Sequence, residues 1–314
     1  MNSPDRPVVV VALGGNALLP EAGPQSMTVQ RERAAVAAQS IAPLSATHRV
    51  VVTHGNGPQV GALAERLLDD DSELSGERLD DLDAETEGML GYLLTQALNN
   101  AVVEDVAALL TQVVVDPDDP AFSRPTKPIG PPIDPDRVGA LQTERGWTIE
   151  SRHGQFRRLV ASPEPLDIVE LSAIRALISA GIVTICLGGG GIPVARQDYV
   201  LTGVEGVVDK DLASALLAVR LDAQRLVLLT DIDAVWDEWE TPRARPIVSA
   251  GADWFRTNRY EAGSMGPKVE AACRFAETTG REANIGALRD AAAVVIGAAG
   301  TTVVPEFRRP VFVR

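Results

Sequence analysis

Pro7-Val-Val-Val-Val-Ala-Leu-Gly-Gly-Asn16 decides how the rest of the chain is read. Residues Pro7 to Leu13 are apolar throughout and show no polar alternation, which is how a strand buried on both faces of a parallel sheet reads. The run stops at glycine. The same pattern returns at Arg49–Thr53, which ends in His54-Gly-Asn-Gly57, and at Val183–Leu187, which ends in Gly188-Gly-Gly-Gly191. Leu226–Thr230 follows, ending in Asp231-Ile-Asp233. Leu109–Val115, Ala293–Ile296 and Thr301–Val304 read as further strands. Between them the periodicity predicts helices over Thr28–Leu44, Pro58–Leu68, Ala84–Asn100, Leu166–Ala180, Leu212–Val219 and Pro267–Thr279. Strand–loop–helix alternation of this kind predicts an α/β fold with a mainly parallel central sheet and helices on both faces. Asp69–Asp83 is acidic and reads as an exposed connection. Asp116–Pro165 is dense in Pro and Asp and lacks a long apolar period, so it reads as a small subdomain or lid inserted into a single domain spanning 1–314.

Bulk properties narrow the function classes. A net charge of −14 argues against nucleic acid or an anionic membrane as partner, and aromatic content of 4% leaves no base-stacking platform. Two cysteines make neither a disulfide scaffold nor a zinc site, so a reducing, cytoplasmic setting is expected. Residues Met1–Arg6 show no leader pattern, and the apolar run after them is too short to span a bilayer.

The lysines carry more information. Of 29 Lys and Arg residues only Lys127, Lys210 and Lys268 are lysines, and all three stand in segments marked by Gly, Pro or Asp. In a chain that otherwise uses arginine, such positions suggest a need for a compact, flexible point charge, which suits a phosphoryl group in transfer. The alternative is three leftover surface lysines. Lys210 sits in Asp209-Lys-Asp211, where an irregular segment feeds a helix. Asp211 reads best as an organiser held between two ammonium groups; the bland reading is a helix cap or first-turn acid, and both can hold together. Lys268 closes Gly263-Ser-Met-Gly-Pro-Lys268 at another helix start, and Lys127 lies on the Pro-rich insert, where a lid residue could arrive with substrate.

Three glycine-ended strands gather at one sheet edge in such a fold, and glycine lets backbone N–H groups approach an anion at a helix start. Each loop alone reads equally as a tight turn. No Gly–Lys pair occurs anywhere, which excludes a P-loop. Gly55-Asn-Gly-Pro-Gln-Val-Gly61 has Rossmann-like spacing, but a dinucleotide reading leaves the lysines unexplained. His54 has no metal-ligand spacing to His48 or His153, so no metal site is expected. Cys186 reads as core, not nucleophile.

With these residues assembled, the chain resembles the carbamate kinases of the amino acid kinase superfamily. The resemblance rests on Ala12-Leu-Gly-Gly-Asn-Ala-Leu18, Thr53-His-Gly-Asn-Gly-Pro-Gln-Val-Gly61, Pro125-Thr-Lys-Pro-Ile-Gly130 and Arg157-Arg-Leu-Val160 with Ser162-Pro163. It continues through Gly188-Gly-Gly-Gly-Ile-Pro-Val194, Val208-Asp-Lys-Asp-Leu-Ala-Ser214, Leu229-Thr-Asp231 and Gly263-Ser-Met-Gly-Pro-Lys-Val-Glu270.

The resemblance implies an eight-stranded open αβα sandwich with a protruding subdomain, a homodimer, and reversible phosphoryl transfer between carbamoyl phosphate and ADP giving ATP and carbamate. Mg2+ would be held mainly by the nucleotide phosphates. It implies carbamoyl phosphate binding by Gly14, Gly15, Asn16, Gly55, Asn56 and Gly57, and catalysis by Lys127, Lys210 and Lys268 with Asp211 holding the last two. Gly188, Gly189, Gly190, Thr230, Asp231, Asp233, Trp236, Met265 and Gly266 are assigned to the nucleotide. Production of ATP from arginine or allantoin breakdown and synthesis of carbamoyl phosphate would use this same site.

Four positions stand out. Many superfamily kinases carry lysine before the first Gly-Gly; here, as in carbamate kinases, that position is Leu13, and the resemblance gives the lysine's part to Lys210. Phe156 replaces the usual Tyr before Arg-Arg. Ala234 and Trp236 replace the common Gly and Tyr. The alternative is another superfamily phosphotransferase acting on a different small acid. A carboxylate substrate would call for an Arg or amide clamp near Gly55.

Overall fold

The structure is a computed structural model and describes residues 6–18, 26–66, 78–101, 103, 105–152, 154–258, 260 and 265–313, with the side chains of residues 16, 17 and 152 outside the description. The strand Val8–Leu13 is buried along its whole length. It pairs in parallel with Arg49–His54 on one side and with Arg225–Thr230 on the other. Alternate residues go to opposite layers. Val8, Val10 and Ala12 join a core with the helices Leu171–Ser179, Lys210–Arg220 and Met265–Thr279. Val9, Val11 and Leu13 join a second core with the helices Met27–Ile41, Leu79–Asn100 and Ala291–Val295. An unbroken apolar run is therefore required, because neither face of the strand meets water.

The central sheet has 10 strands. Eight are the expected complement, running in the order 245–251, 301–304, 283–287, 225–230, 8–13, 49–54, 183–185 and 106–108. Two two-residue strands, Trp236–Asp237 and Val311–Phe312, extend it at one edge. Pairing is parallel across the middle and antiparallel only around the 283–287/301–304 pair and these short edge strands. Register brings the strand ends level: Leu13 stands opposite both His54 and Leu229, and Ile185 opposite Val52. The loops that begin at Gly14, Gly55, Gly188 and Thr230 consequently share one edge, the ligand edge of an open parallel sheet.

Several sequence expectations are corrected. Ala293–Ile296 is not a strand: Ala291–Val295 is a short helix, and its alanines suit either state. Gln112–Val115 leaves the central sheet for a four-stranded sheet with Ile192–Gln197, Val200–Gly203 and Asp167–Ile168, while Val106–Ala108 takes the edge position in the main sheet. The helix expected from Leu166 starts only at Leu171, after that short strand. Leu79–Asp83, read as exposed connection, is the start of the helix Leu79–Asn100, with Asp80 and Asp81 stabilising its positive end. Residues 69–77 of the same expected connection, and 67–68 at the end of the expected helix Pro58–Leu68, lie outside the described residues.

Residues 127–160 form a separate antiparallel sheet of Lys127–Ile133, Gln155–Val160 and Thr148–Arg152 around the helix Pro135–Arg145. Three prolines are tolerated in Lys127–Ile133 because it is an edge strand with one ladder partner. The register shifts between Ile129 and Ile133, at Gly130, whose φ of 74° favours glycine. Gly130 lies on Gly61: a Cβ at Gly61 would stand 2.0 Å from the Gly130 backbone. This sheet thus sits on the helix Gly57–Arg66, whose first turn follows the Gly55 loop.

Candidate active site

The helix Lys210–Arg220 places the charged triplet at the glycine edge. Asp209 is its N-cap: Oδ1 accepts from Asp211 N at 2.9 Å and Leu212 N at 3.2 Å. Capping therefore falls to Asp209, and Asp211 stands in the first turn. Asp211 Oδ1 accepts from Lys210 Nζ, and Oδ2 accepts from Lys268 Nζ at 3.3 Å. Lys268 comes from the helix Met265–Thr279, packed against Lys210–Arg220. The second oxygen of Asp209 accepts from Lys127 Nζ at the start of the small sheet. Three lysines far apart in sequence are brought to two carboxylates that flank one residue.

Burial decides the electrostatics. Lys210, Asp211 and Lys268 are each no more than 9% exposed, whereas the Lys127 side chain is 35% exposed. Burial alone would push the Asp211 carboxyl up; Lys210 and Lys268 outweigh it and hold Asp211 down at about 2. Burial lowers the Lys210 pKa, with Asp211 opposing and Lys268 adding to the effect. Two ammonium groups share one carboxylate, which leaves local positive charge inside an acidic protein. That is a place for an anion.

The backbone around it is close-packed. A Cβ at Gly55 would stand 3.0 Å from Gly15 and 3.5 Å from Lys210 Cδ, and one at Gly14 would stand 3.2 Å from Leu229 O. Gly14, Gly15, Gly55 and Lys210 therefore meet. Gly57 opens the helix Gly57–Arg66, and Pro58 packs near Gly15. The Asn16 side chain lies outside the described residues. Thr53 and Ser214 anchor the strand to the helix: their hydroxyls are 2.7 Å apart, and Ser214 Oγ donates to Lys210 O at 2.5 Å.

Gly188, Gly189 and Gly190 are not placed with the other nucleotide assignments. Two strands, Val8–Leu13 and Arg49–His54, lie between their strand and that of Thr230, with Gly188 against His54 and Glu87, Gly189 against the Asn56 amide, and Gly190 against Val208 O. They wall the Asn56 side chain. Thr230 lies beside Gly14, and its Oγ1 donates to Asp231 at 2.9 Å. Asp233 accepts from Trp236 Nε1 at 3.0 Å, and Trp236 meets the exposed Trp239 edge to face at 5.8 Å. Met265 and Gly266 open the helix that carries Lys268, while Gly263 and Ser264 of the same motif lie outside the described residues.

A second buried polar cluster adjoins the first and was missed in the sequence. Asp83 and Glu87 are four apart on the helix Leu79–Asn100 and almost wholly buried. Asp83 Oδ1 accepts from Asn56 Nδ2 at 2.8 Å; Glu87 accepts from Gly188 N at 2.8 Å and Thr111 N at 3.1 Å. Burial pushes Asp83 well above the carboxylate range, opposed by the Asn56 bond and reinforced by Glu87. Burial likewise raises Glu87 to about 8 against its backbone donors, and holds His54 down at about 4. Helical i, i+4 spacing was the available signal, but Asp83 sits at the end of an acidic run that reads as solvated.

Cys186 and Cys273 are free and buried, and burial raises both thiols. Among the described residues no group of three His, Cys, Asp or Glu side chains could hold a metal ion, and no helix is long and apolar enough to cross a membrane.

Comparison with known proteins gives a consistent result. The model of the Amino acid kinase family matches residues 7–286. A carbamate kinase of Rhizobium meliloti is 47% identical over 306 residues, covering 95% of this chain and 94% of the relative. One from Haemophilus influenzae is 43% identical, covering 95% and 97%. The solved structure of carbamate kinase from Giardia lamblia bound to AMP-PNP superimposes with a TM-score of 0.88 at 35% identity, covering 96% of this chain and 99% of the other.

Proposed function

The chain belongs to the amino acid kinase family and, within it, to the carbamate kinases, and we propose that it transfers a phosphoryl group reversibly between carbamoyl phosphate and ADP, giving ATP and carbamate. The observation that carries the reading is the buried pair Lys210 and Lys268 sharing Asp211 beside Gly14, Gly15 and Gly55. An oxygen of the ADP β-phosphate attacks phosphorus, the bond from phosphorus to the carbamoyl oxygen breaks, and carbamate leaves as an anion. No proton moves, so the protein supplies positioning and charge stabilisation only.

In this reading Gly14, Gly15, Gly55, Asn56 and Gly57 hold carbamoyl phosphate, joined by the Gly188–Gly190 wall. Lys210 and Lys268 face the phosphoryl oxygens, and Asp211 fixes both. Lys127, tethered to Asp209 and partly exposed, reaches the substrate from the 127–160 sheet, which acts as a subdomain inserted at 116–165. Thr230, Asp231, Asp233, Trp236, Met265 and Gly266 line the nucleotide site; the Giardia relative with bound AMP-PNP supports a nucleotide substrate. Mg2+, held mainly by the nucleotide phosphates, would neutralise part of their charge. Asp209 and Asp211 already carry ammonium partners, which fits a metal held by phosphate and not by this cluster. A homodimeric, cytoplasmic enzyme completes the reading; light scattering on the purified protein tests the dimer.

The direct test measures ATP formed from carbamoyl phosphate, ADP and Mg2+ by the wild type and by Lys210→Ala. Formation abolished by the substitution is expected. No ATP from a folded, ADP-binding wild type overturns the reading and calls for a screen of small carboxylic acids as acceptors.

A further inference from the structure

Asn56 poses a question of amide orientation that its surroundings answer. Its Nδ2 lies 2.8 Å from Asp83 Oδ1 and 2.9 Å from Thr86 Oγ1. The Thr86 hydroxyl already donates to Leu82 O at 2.8 Å, so its oxygen is left to accept. Burial favours the neutral Asp83 acid, whose Oδ1 accepts from Nδ2 as a carboxylate oxygen would. Thr86 therefore fixes the amide, since a flipped one would set its carbonyl oxygen against a hydroxyl lone pair. The side chain has its NH2 consumed on the helix Leu79–Asn100 and one group remaining, the carbonyl Oδ1.

The amide is also walled in. A Cβ at Gly189 would stand 2.4–2.5 Å from its Nδ2, Cγ and Oδ1, so only glycine fits there, at a φ of 72°. Glu87 fixes that wall through Gly188 N. Gly55, the residue before Asn56, touches Gly15 and Lys210 at the heart of the anion site. A rigid acceptor adjoins a positive cradle.

We propose that Asp83 and Thr86 are positioning residues that lock the Asn56 amide so that its Oδ1 accepts a hydrogen bond from the amino group of the substrate, selecting a carbamoyl phosphate over an acyl phosphate that lacks an N–H. This rests on the proposed reaction. The cradle of glycines and lysines recognises the phosphate and cannot tell the two apart, since both carry the same mixed anhydride. Discrimination must come from a group that reads the other end, and a site built to bond an N–H penalises an analogue without one. Asp83 does not touch substrate; it acts through Asn56.

The test compares carbamoyl phosphate with acetyl phosphate, which has a methyl group in place of the amino group, as phosphoryl donors to ADP. The readout is the ratio of kcat/KM for the two. In Asp83→Asn a carboxamide free to turn its NH2 towards Asn56 replaces the oxygen that accepts from it, the lock is weakened, and the ratio falls about tenfold. Thr86→Val removes the second acceptor at nearly constant shape and lowers the ratio in the same direction, while Thr86→Ser retains the wild-type ratio. A purely structural role would depress both donors together and leave the ratio unchanged in both Asp83→Asn and Thr86→Val; that result overturns the inference while leaving the reaction standing. Should Asp83→Asn fail to fold, the Thr86 pair decides alone. A wild type that forms no ATP from either donor overturns the reaction and the inference with it.

Discussion

Two clusters of buried charge sit side by side at the glycine edge, and they behave in opposite ways. Asp211 is 4% exposed and held at about 2; Asp83 is 1% exposed and pushed well above the ordinary range. The residue type and the burial are alike. The difference is the partner: two ammonium groups for Asp211, one neutral amide and a nearby carboxylate for Asp83. Burial by itself favours the neutral acid, and only opposite charge reverses that. The first cluster keeps charge available for an anion. The second spends its polar groups on holding Asn56 and the Gly188 loop.

Breaking the charged cluster gives the largest effects. Lys210→Ala removes the proposed stabiliser of the transferring phosphoryl group, and ATP formation is expected to fall by about 10³-fold or more, measured as initial rates under saturating ADP. Asp211→Asn is next. It leaves Lys210 and Lys268 buried without their shared counter-charge, and costs about 3–5 kcal/mol in denaturant unfolding.

The same variant carries a pH signature. The folded Asp211 pKa lies below its unfolded value, so its stabilisation is present above pH 3.8 and is lost as pH falls from there towards 2. Wild type loses stability across that window. Asp211→Asn shows no such step from this position.

The contact between Gly61 and Gly130 links the clusters to the 127–160 sheet. Gly61→Ala would place a methyl 2.0 Å from the Gly130 backbone, so the sheet must shift and Lys127 with it. We expect kcat about tenfold lower with ADP affinity unchanged, since a displacement near 1 Å misaligns a reacting group. Lys127→Arg tests the same limb from its tip. The charge stays, but a planar fork fits the contact with Asp209 poorly, and turnover drops. Wild-type kinetics in Lys127→Arg remove that residue from the catalytic set.

The smallest effect lies in the unpaired cluster. Glu87 has a folded pKa of about 8 against an ordinary 4.5, so the fold binds a proton that the unfolded chain has released. Stability then declines as pH rises through 4.5 towards 8, and Glu87→Gln flattens that decline. Gln carries one acceptor oxygen where Glu carries two, so one of the bonds to Gly188 N and Thr111 N is lost, a constant offset of about 1–3 kcal/mol. The slope, not the offset, checks the assignment. A slope unchanged by the substitution places the titration elsewhere.

Much of this molecule is legible in its amino-acid sequence. Runs such as Val8–Leu13 announce doubly buried strands, because an unbroken apolar run has no other place to go. Their glycine ends announce the ligand edge. Scarcity of lysine is enough to single out Lys127, Lys210 and Lys268. Local signal misleads where two states share it. Ala293–Ile296 is apolar enough for a strand and rich enough in alanine for a helix, and its position against the Met27–Ile41 layer chose the helix.

Order along the chain is sufficient for the alternation of strand and helix, the family, and the residue types on which phosphoryl transfer depends. Periodicity and propensity depend on near neighbours, and those are written in order. Folding in three dimensions settled which carboxylate does what. Asp209 became the cap that also tethers Lys127 across 82 positions, and Asp211 took Lys268 across 57. Asp83, at the end of a run that reads as solvent-facing, was turned inward to hold Asn56. A side chain's charge state follows from what surrounds it in space, and those surroundings come from segments far apart in the chain.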